Sequence, residues 1–228
     1  GGMGKTVLMQ GLANRLRADG PVVLFDGFGA GRWRDPADGR HLPERTFVHL
    51  ANLLAGQGLC DILLPVMDVT SLLRAFRRRL TQSVETARRA CSNACVSLVL
   101  DAIDHAALAA RDTATSSFAH LLMRSIGIDP IDGLRLVASC RTERLALATG
   151  DTSHRQFAVP LFTDTEVRTL VGRRVPDASS YEIAALLTRS GRNPRCLDNL
   201  IAAGRPFDPV SFPDAQEEPH DLLDVLLR

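Results

Sequence analysis

Short runs of consecutive aliphatic residues punctuate the first two-thirds of the chain. Val22-Val23-Leu24-Phe25 ends at Asp26, Val96-Ser97-Leu98-Val99-Leu100 ends at Asp101, and Leu134-Arg135-Leu136-Val137-Ala138-Ser139-Cys140 ends at Arg141. A fourth, Phe157-Ala158-Val159-Pro160-Leu161, is shorter. Apolar runs of this length bounded by turn residues predict strands buried on both faces, as in a parallel sheet. Between them the apolar residues recur every three or four positions. Leu8, Leu12 and Leu16 share one face of a first helix, and Phe47, Leu50, Ala51 and Leu54 share a face over residues 44–56. Leu72, Leu73, Phe76, Leu80 and Val84 do so over 69–90, and Phe118, Leu121, Leu122 and Ile126 over 113–126. Asp19-Gly20-Pro21, Asp129-Pro130 and Asp132-Gly133 are turns, and 57–68 is an irregular connection containing Pro65. Strands alternating with amphipathic helices predict an α/β fold built on a parallel sheet with right-handed crossovers.

After residue 162 the pattern becomes helical only. Thr163 and Glu166 have capping-box spacing ahead of Val167, Leu170 and Val171. Ser179 or Ser180 caps a helix with Ile183, Leu186 and Leu187, and Ser190-Gly191-Arg192-Asn193-Pro194-Arg195 opens another with Leu197, Leu200 and Ile201. Residues 204–220, rich in Pro and acids, read as a linker, and 221–228 start a further apolar pattern. The expected organisation is a core over 1–162, a small all-helical lid over 163–203, and a linker with the start of a following segment over 204–228. On this reading the chain is cut from a longer protein at both ends.

Composition narrows the function classes. With 228 residues, 45% hydrophobic and 23% charged, the chain can bury a sizeable core and is not a disordered segment. A formal net charge of +1 gives no support for nucleic acid or an anionic membrane as partner. No apolar run reaches the length needed to span a bilayer. The basic run at Arg74 and Arg77-Arg78-Arg79 lacks interleaved aromatics and reads as a solvated helix face. Five scattered cysteines, an odd number, fit a reducing, cytoplasmic compartment.

The chemistry begins at the first residue. Gly1-Gly2-Met3-Gly4-Lys5-Thr6 reads as the last six positions of a phosphate-binding loop, G-x-x-x-x-G-K-[ST], whose first glycine falls before Gly1. Glycines let consecutive N–H groups surround a phosphate, Lys5 can reach its β- and γ-groups, and the Thr6 hydroxyl can ligate Mg²⁺. The helix that follows from Val7 offers its N-terminal dipole to the anion. A Mg²⁺ site also needs an acid on a neighbouring strand, which Asp101 supplies. Asp104 stands three residues further, where it can hold an attacking water or cap the next helix. Arg141, at the end of the third run, can contact phosphate oxygens with two N–H groups and so tell triphosphate from diphosphate. Alternatively it is a surface arginine paired with Glu143. The glycine-rich stretch Gly27-Phe28-Gly29-Ala30-Gly31-Arg32-Trp33-Arg34 follows a strand, where open α/β sheets place ligands. It is either part of a site or a surface loop with Trp33 tucked against the core.

Four stretches in fixed order, Gly-Gly-Met-Gly-Lys-Thr, Leu-Val-Leu-Asp-Ala-Ile-Asp, Val-Ala-Ser-Cys-Arg-Thr-Glu-Arg and Ser-Gly-Arg-Asn-Pro-Arg, resemble the STAND class of P-loop ATPases. That class, related to AAA+ proteins, includes NACHT and NB-ARC modules. The Phe-Asp-Gly-Phe-Gly-Ala-Gly-Arg-Trp-Arg segment is similar to that of bacterial members proposed to act in anti-phage defence. The resemblance implies ATP or ADP with Mg²⁺ as ligands. Gly1, Gly2, Met3, Gly4, Lys5, Thr6 and Val7 would surround the phosphates, with Thr6 and Asp101 on the metal. Asp104 would polarise water, and Arg141 would sense the γ-phosphate. Pro194 would pack near adenine and Arg195 would approach the phosphates. It further implies a slow ATPase switch that self-associates in its ATP state, between an upstream effector and a downstream sensor domain. His105 departs from the pattern, standing where some relatives carry another acid. A nucleotide-bound assembly scaffold with little hydrolysis, a small-molecule kinase and a DNA-loading AAA+ protein are the alternatives.

Overall fold

The runs at 22–25, 96–101 and 134–140 form parallel strands whose register sets the rest of the first unit. The computed structural model describes residues 4–65, 68–204 and 207, so Gly1, Gly2, Met3 and nearly all of the expected linker lie outside the described residues. The elements are α1 (Lys5–Leu16), β1 (Val22–Asp26), α2 (Pro43–Ala55), α3 (Val69–Ala90), β2 (Val96–Asp101), α4 (Ile103–Asp112), α5 (Phe118–Ile128), β3 (Leu134–Ala138), α6 (Leu145–Thr149), α7 (Asp164–Arg174), α8 (Ser180–Ser190) and α9 (Pro194–Ala203). The chain divides into two compact units, Thr6–Gln156 and Phe157–Arg228, the latter grouped with Gly1–Lys5.

In the first unit the described strands form a parallel sheet in the order β1-β2-β3. Every residue of β2 is buried, as its unbroken aliphatic run requires of a central strand. The two-residue period divides the side chains between faces. Val23, Phe25, Val96, Leu98, Leu100, Leu134 and Leu136 face a core with α2, α3 and α5. Val22, Val99 and Val137 face the other way, onto Met9, Ala13 and Leu16 of α1. Burying each such aliphatic side chain contributes roughly 1.5–3 kcal/mol.

Three expectations change. The apolar face of α1 is Met9–Ala13–Leu16, while Leu8 is 52% exposed. Leu8 and Leu12 lie one position round the helix from the residues that meet the valines of the sheet. The helix expected at 113–126 is two features: α4 ends at Asp112, Ala114 takes a positive φ of 52°, and α5 starts at Phe118. No strand forms at 157–161. That segment is irregular and Phe157 is 73% exposed. An aliphatic run becomes a strand only beside a partner edge.

The basic run on α3 is not simply solvated. Arg77 donates to the Ser125 carbonyl (2.8 Å), the Ser125 hydroxyl (3.0 Å) and the Asp129 carbonyl (2.7 Å), and pairs with the Asp129 carboxylate. It thereby satisfies carbonyls at the C-terminus of α5. Arg79 donates to the Ile62 carbonyl (3.2 Å), and Arg88 pairs with Asp132 (2.8 Å).

In the second unit the expected capping box of Thr163 with Glu166 opens α7, and of the two candidate caps for α8 it is Ser179 that serves, in a further capping box with Glu182. Asn193 caps α9, accepting from the N–H groups of Arg195 and Cys196, with Pro194 at the first helical position. Val167, Val171, Leu186, Leu197 and Phe207 form its core. Among the described residues, no helix is long and apolar enough to cross a membrane.

Phe47 anchors the larger core. It is fully buried, stacks on Phe76 at 5.0 Å and meets Phe118 edge-on at 6.4 Å. Phe47→Ala is expected to cost about 3–5 kcal/mol in urea unfolding. A loss below about 1 kcal/mol would mean the cluster is not the core this packing implies.

Candidate active site at the C-terminal ends of the strands

Parallel strands end together, so their terminal residues share one edge of the sheet. Asp26 lies beside Asp101 in the register of β1 and β2, and the Leu100–Ala138 pair brings Ser139 next to Asp101. The two neighbouring acids have different partners. Asp26 accepts from the backbone N–H groups of Phe28 (2.8 Å) and Gly29 (3.0 Å) and so starts the glycine-rich loop. Asp101, 3% exposed, takes a hydrogen bond from the Ser139 hydroxyl through Oδ1. Its other oxygen, Oδ2, is buried without a hydrogen-bond partner among the described residues.

Ser139 also accepts from the Ala102 N–H (2.9 Å), its own N–H donates to the Leu100 carbonyl (2.9 Å), and its carbonyl receives the Ile103 N–H (2.9 Å). These bonds hold Ala102 in the left-handed region (φ 55°, ψ 44°), where a non-glycine residue is strained. Gly27 makes the crowding possible. It donates to the Asp101 carbonyl (2.8 Å), and a Cβ there would come within 2.8 Å of the Ala102 carbonyl. The kink turns the chain straight from β2 into α4.

Asp104 therefore falls in the first turn of α4 rather than at its cap, and is 1% exposed. Arg144 donates to its Oδ2 (3.2 Å), and Arg141 approaches the same oxygen (3.9 Å). Both guanidinium groups are about three-quarters covered, so Arg141 is not a free surface arginine. One tight turn at Thr142–Arg144 sets the three-residue spacing that aims both cations at one carboxylate. His105, the next residue, is 7% exposed, and its ring contacts those of Phe28 (centroids 5.0 Å apart) and Trp33 (4.8 Å) at tilted angles. Burial pushes its pKa below the ordinary histidine value. Asp104 opposes that shift, and Arg141 and Arg144 add to it.

On the face of the sheet where Asp101 lies, α1 packs over Val99. Its far end is tied to the starts of the strands: the Asp19 carbonyl accepts from Cys95 N–H (3.0 Å), and Asp19 pairs with Arg135. The helix thus runs back along the sheet, with its Thr6 end toward the strand C-termini. Gly4 has a positive φ of 73° just before α1, which starts at Lys5 with its first N–H groups lacking intrahelical acceptors. Thr6 and Val7 are exposed. Pro194 and Arg195 open α9 in the second unit.

The strand ends thus gather Asp101, Asp104 and Arg141, and add Ser139 and Arg144, which the sequence did not single out. No local pattern marks them: Ser139 takes its partner from the register of β2 and β3, and Arg144 from the tight turn at Thr142–Arg144. No protein-family model matches the chain, and no curated protein sequence does.

The donor set suits a hard cation. The orphaned buried carboxylate oxygen of Asp101 is a hard oxygen ligand of the kind Mg²⁺ prefers. Among the described residues no three His, Cys, Asp or Glu side chains converge as a ready-made metal site.

Ser139→Ala would leave Asp101 Oδ1 and the Ala102 N–H without their partner at a buried, strained turn. The expected loss of stability in urea unfolding is about 2–3 kcal/mol. A change within about 0.5 kcal/mol would show that the serine does not hold the turn.

Proposed function

We propose that this chain is a nucleotide-binding module of the P-loop type, an ATP-dependent switch with slow Mg²⁺-dependent hydrolysis. The observation that carries the reading is the pair of acids at the end of β2. Asp101 is buried with one oxygen unspent, and Asp104 is buried against two arginines. Burying two carboxylates three residues apart across a strained turn costs stability, and strain of this kind concentrates at functional sites. The Gly-Lys-Thr sequence opening α1 supports the same reading, as does the resemblance to STAND-class ATPases.

In this reading Gly1 to Val7 surround the phosphates at the start of α1. Thr6 and Asp101 would hold Mg²⁺, which supplies charge neutralisation of the phosphate oxygens. Ser139 keeps one Asp101 oxygen engaged and leaves the other for the cation. Asp104 orients water. Arg141 exchanges its contact with Asp104 for the γ-phosphate, while Arg144 keeps the buried acid paired. The γ-phosphate thereby acquires a contact that ADP cannot make, and such differential contact lets a ligand shift a conformational equilibrium. The helical segment after residue 162 would be the lid that the resemblance implies. In a longer chain this module would join an upstream effector to a downstream sensor in the cytoplasm. Self-association in the ATP state would be its output, and defence against phage its setting.

One observation favours a second reading. With Arg141 and Arg144 both on Asp104 Oδ2, that oxygen is engaged in ion pairs rather than free to orient water. The nucleotide would then be a structural ligand of an assembly scaffold.

The test is nucleotide binding, turnover and mass by light scattering for the wild type, Lys5→Ala and Asp104→Asn. The switch reading expects Lys5→Ala to weaken Mg·ATP binding by at least about tenfold. It expects Asp104→Asn to bind ATP but lose turnover, and ATP and ADP to give different oligomeric states. Tight binding without turnover in any variant would support the scaffold. Equal affinity for ATP and ADP with one unchanged oligomeric state would refute the switch.

A further inference from the structure

The glycine-rich loop after β1 touches α4 at both ends. At the first turn, His105 contacts the rings of Phe28 and Trp33, with centroids 5.0 and 4.8 Å away and planes tilted by 57° and 59°. At the last residue of α4, Asp112 pairs with Arg34 (3.2 Å), whose guanidinium lies 4.4 Å over the Trp33 ring. The loop has internal bracing. Asp26 caps its start, Arg40 donates to the Asp26 carbonyl (2.9 Å), and Asp38 pairs with Arg32 (3.5 Å) and Arg40 (3.3 Å). At Gly29 a Cβ would collide with Arg40 at 2.3 Å, so the loop is closed around that arginine. Its outer side nevertheless stays open, since Phe28 is 40% exposed and the side chains of Arg32 and Arg34 are 62% and 68% exposed.

Successive residues of a helix project about 100° apart, so a ring held at His105 constrains the direction in which Asp104 leaves the same turn. We infer that His105 is a positioning residue for Asp104: its contacts with the Phe28 and Trp33 rings set the direction of the Asp104 carboxylate and tie it to the 27–34 loop. Ser139 secures the entry to α4 from the β3 side, and the aromatic contacts secure it from the β1 side. Loop and helix then move as one body. Displacing the exposed loop turns Asp104 relative to Arg141 and Arg144, and drawing Arg141 onto a phosphate is felt at Trp33. This inference rests on the reading of Asp104 as the water-orienting acid.

Trp33 is the only tryptophan, so its fluorescence reports its contact with His105 directly. A protonated imidazole against an indole quenches its emission. The charged groups that bear on the His105 proton are Asp104 and Asp26, which favour it, and Arg141 and Arg144, which oppose it. The experiment records Trp33 emission against pH on the full chain without nucleotide, for the wild type, His105→Phe, Asp104→Asn and Arg144→Gln. Quenching on acidification in the wild type is expected to vanish in His105→Phe. Its midpoint should move to lower pH in Asp104→Asn and to higher pH in Arg144→Gln. Quenching that persists in His105→Phe, or a midpoint indifferent to both other substitutions, would overturn the link.

A second arm measures turnover. His105→Ala is expected to lower kcat about tenfold or more while KM for Mg·ATP stays within about threefold, and Trp33→Ala to do the same. Trp33→Phe, which keeps a ring on His105, should restore kcat. A kcat within twofold of the wild type in both alanine variants would overturn the positioning role. If the wild type binds nucleotide without turnover, the hydrolysis reading fails, and the fluorescence arm alone decides the link between His105 and Asp104.

Discussion

One left-handed residue, Ala102, sets the geometry of the strand ends. It stands between a fully buried strand and a helix, and its φ of 55° is held by two hydrogen bonds to Ser139. A short polar residue must lie opposite Asp101 for this to work, and the parallel register of β2 and β3 puts it there. From that follow the abrupt start of α4, the burial of Asp104 in its first turn and the approach of two arginines to one carboxylate. A longer, unstrained connection would have carried Asp104 away from Arg141 and Arg144.

The charged residues of the first unit are used economically. Asp26 and Asp101 are register partners on adjacent strands, where two unpaired carboxylates would repel. The repulsion is relieved by giving one to backbone N–H groups and the other to a hydroxyl. The basic face of α3 is partly consumed in the same way, with Arg77 closing the end of α5. What is left unspent stands out by contrast. Among the described carboxylates it is one buried oxygen of Asp101, at the edge of the sheet toward which α1 opens.

Much of this was legible because it depends on local pattern. The three long aliphatic runs, the start and stop of α3, the capping box at Thr163 and a serine cap at 179 or 180 all use signals within a few residues of one another. The misreadings are those that depend on distant partners. The segment 157–161 has strand composition but no neighbouring edge among the described residues. In α1 the apolar residues Val7, Leu8, Met9, Leu12, Ala13 and Leu16 offer two candidate faces, and only the sheet decides between them. Asp101, Asp104 and Arg141 could be found as polar residues ending apolar runs. Ser139 and Arg144 could not, because the register of two strands and one turn of tight helix give them their partners. His105 drew notice only for replacing an acid, and its aromatic contacts join residues more than seventy positions apart.

The central claim is that the unspent oxygen of Asp101 faces a cation that arrives with a nucleotide. Calorimetric titration of ATP into the wild type and Asp101→Asn, each with and without Mg²⁺, tests it most directly. The account predicts that Mg²⁺ tightens ATP binding to the wild type by at least about tenfold and that Asp101→Asn loses most of this gain while remaining folded. ATP affinity indifferent to Mg²⁺ in both proteins, or the same Mg²⁺ gain in the variant, would contradict it.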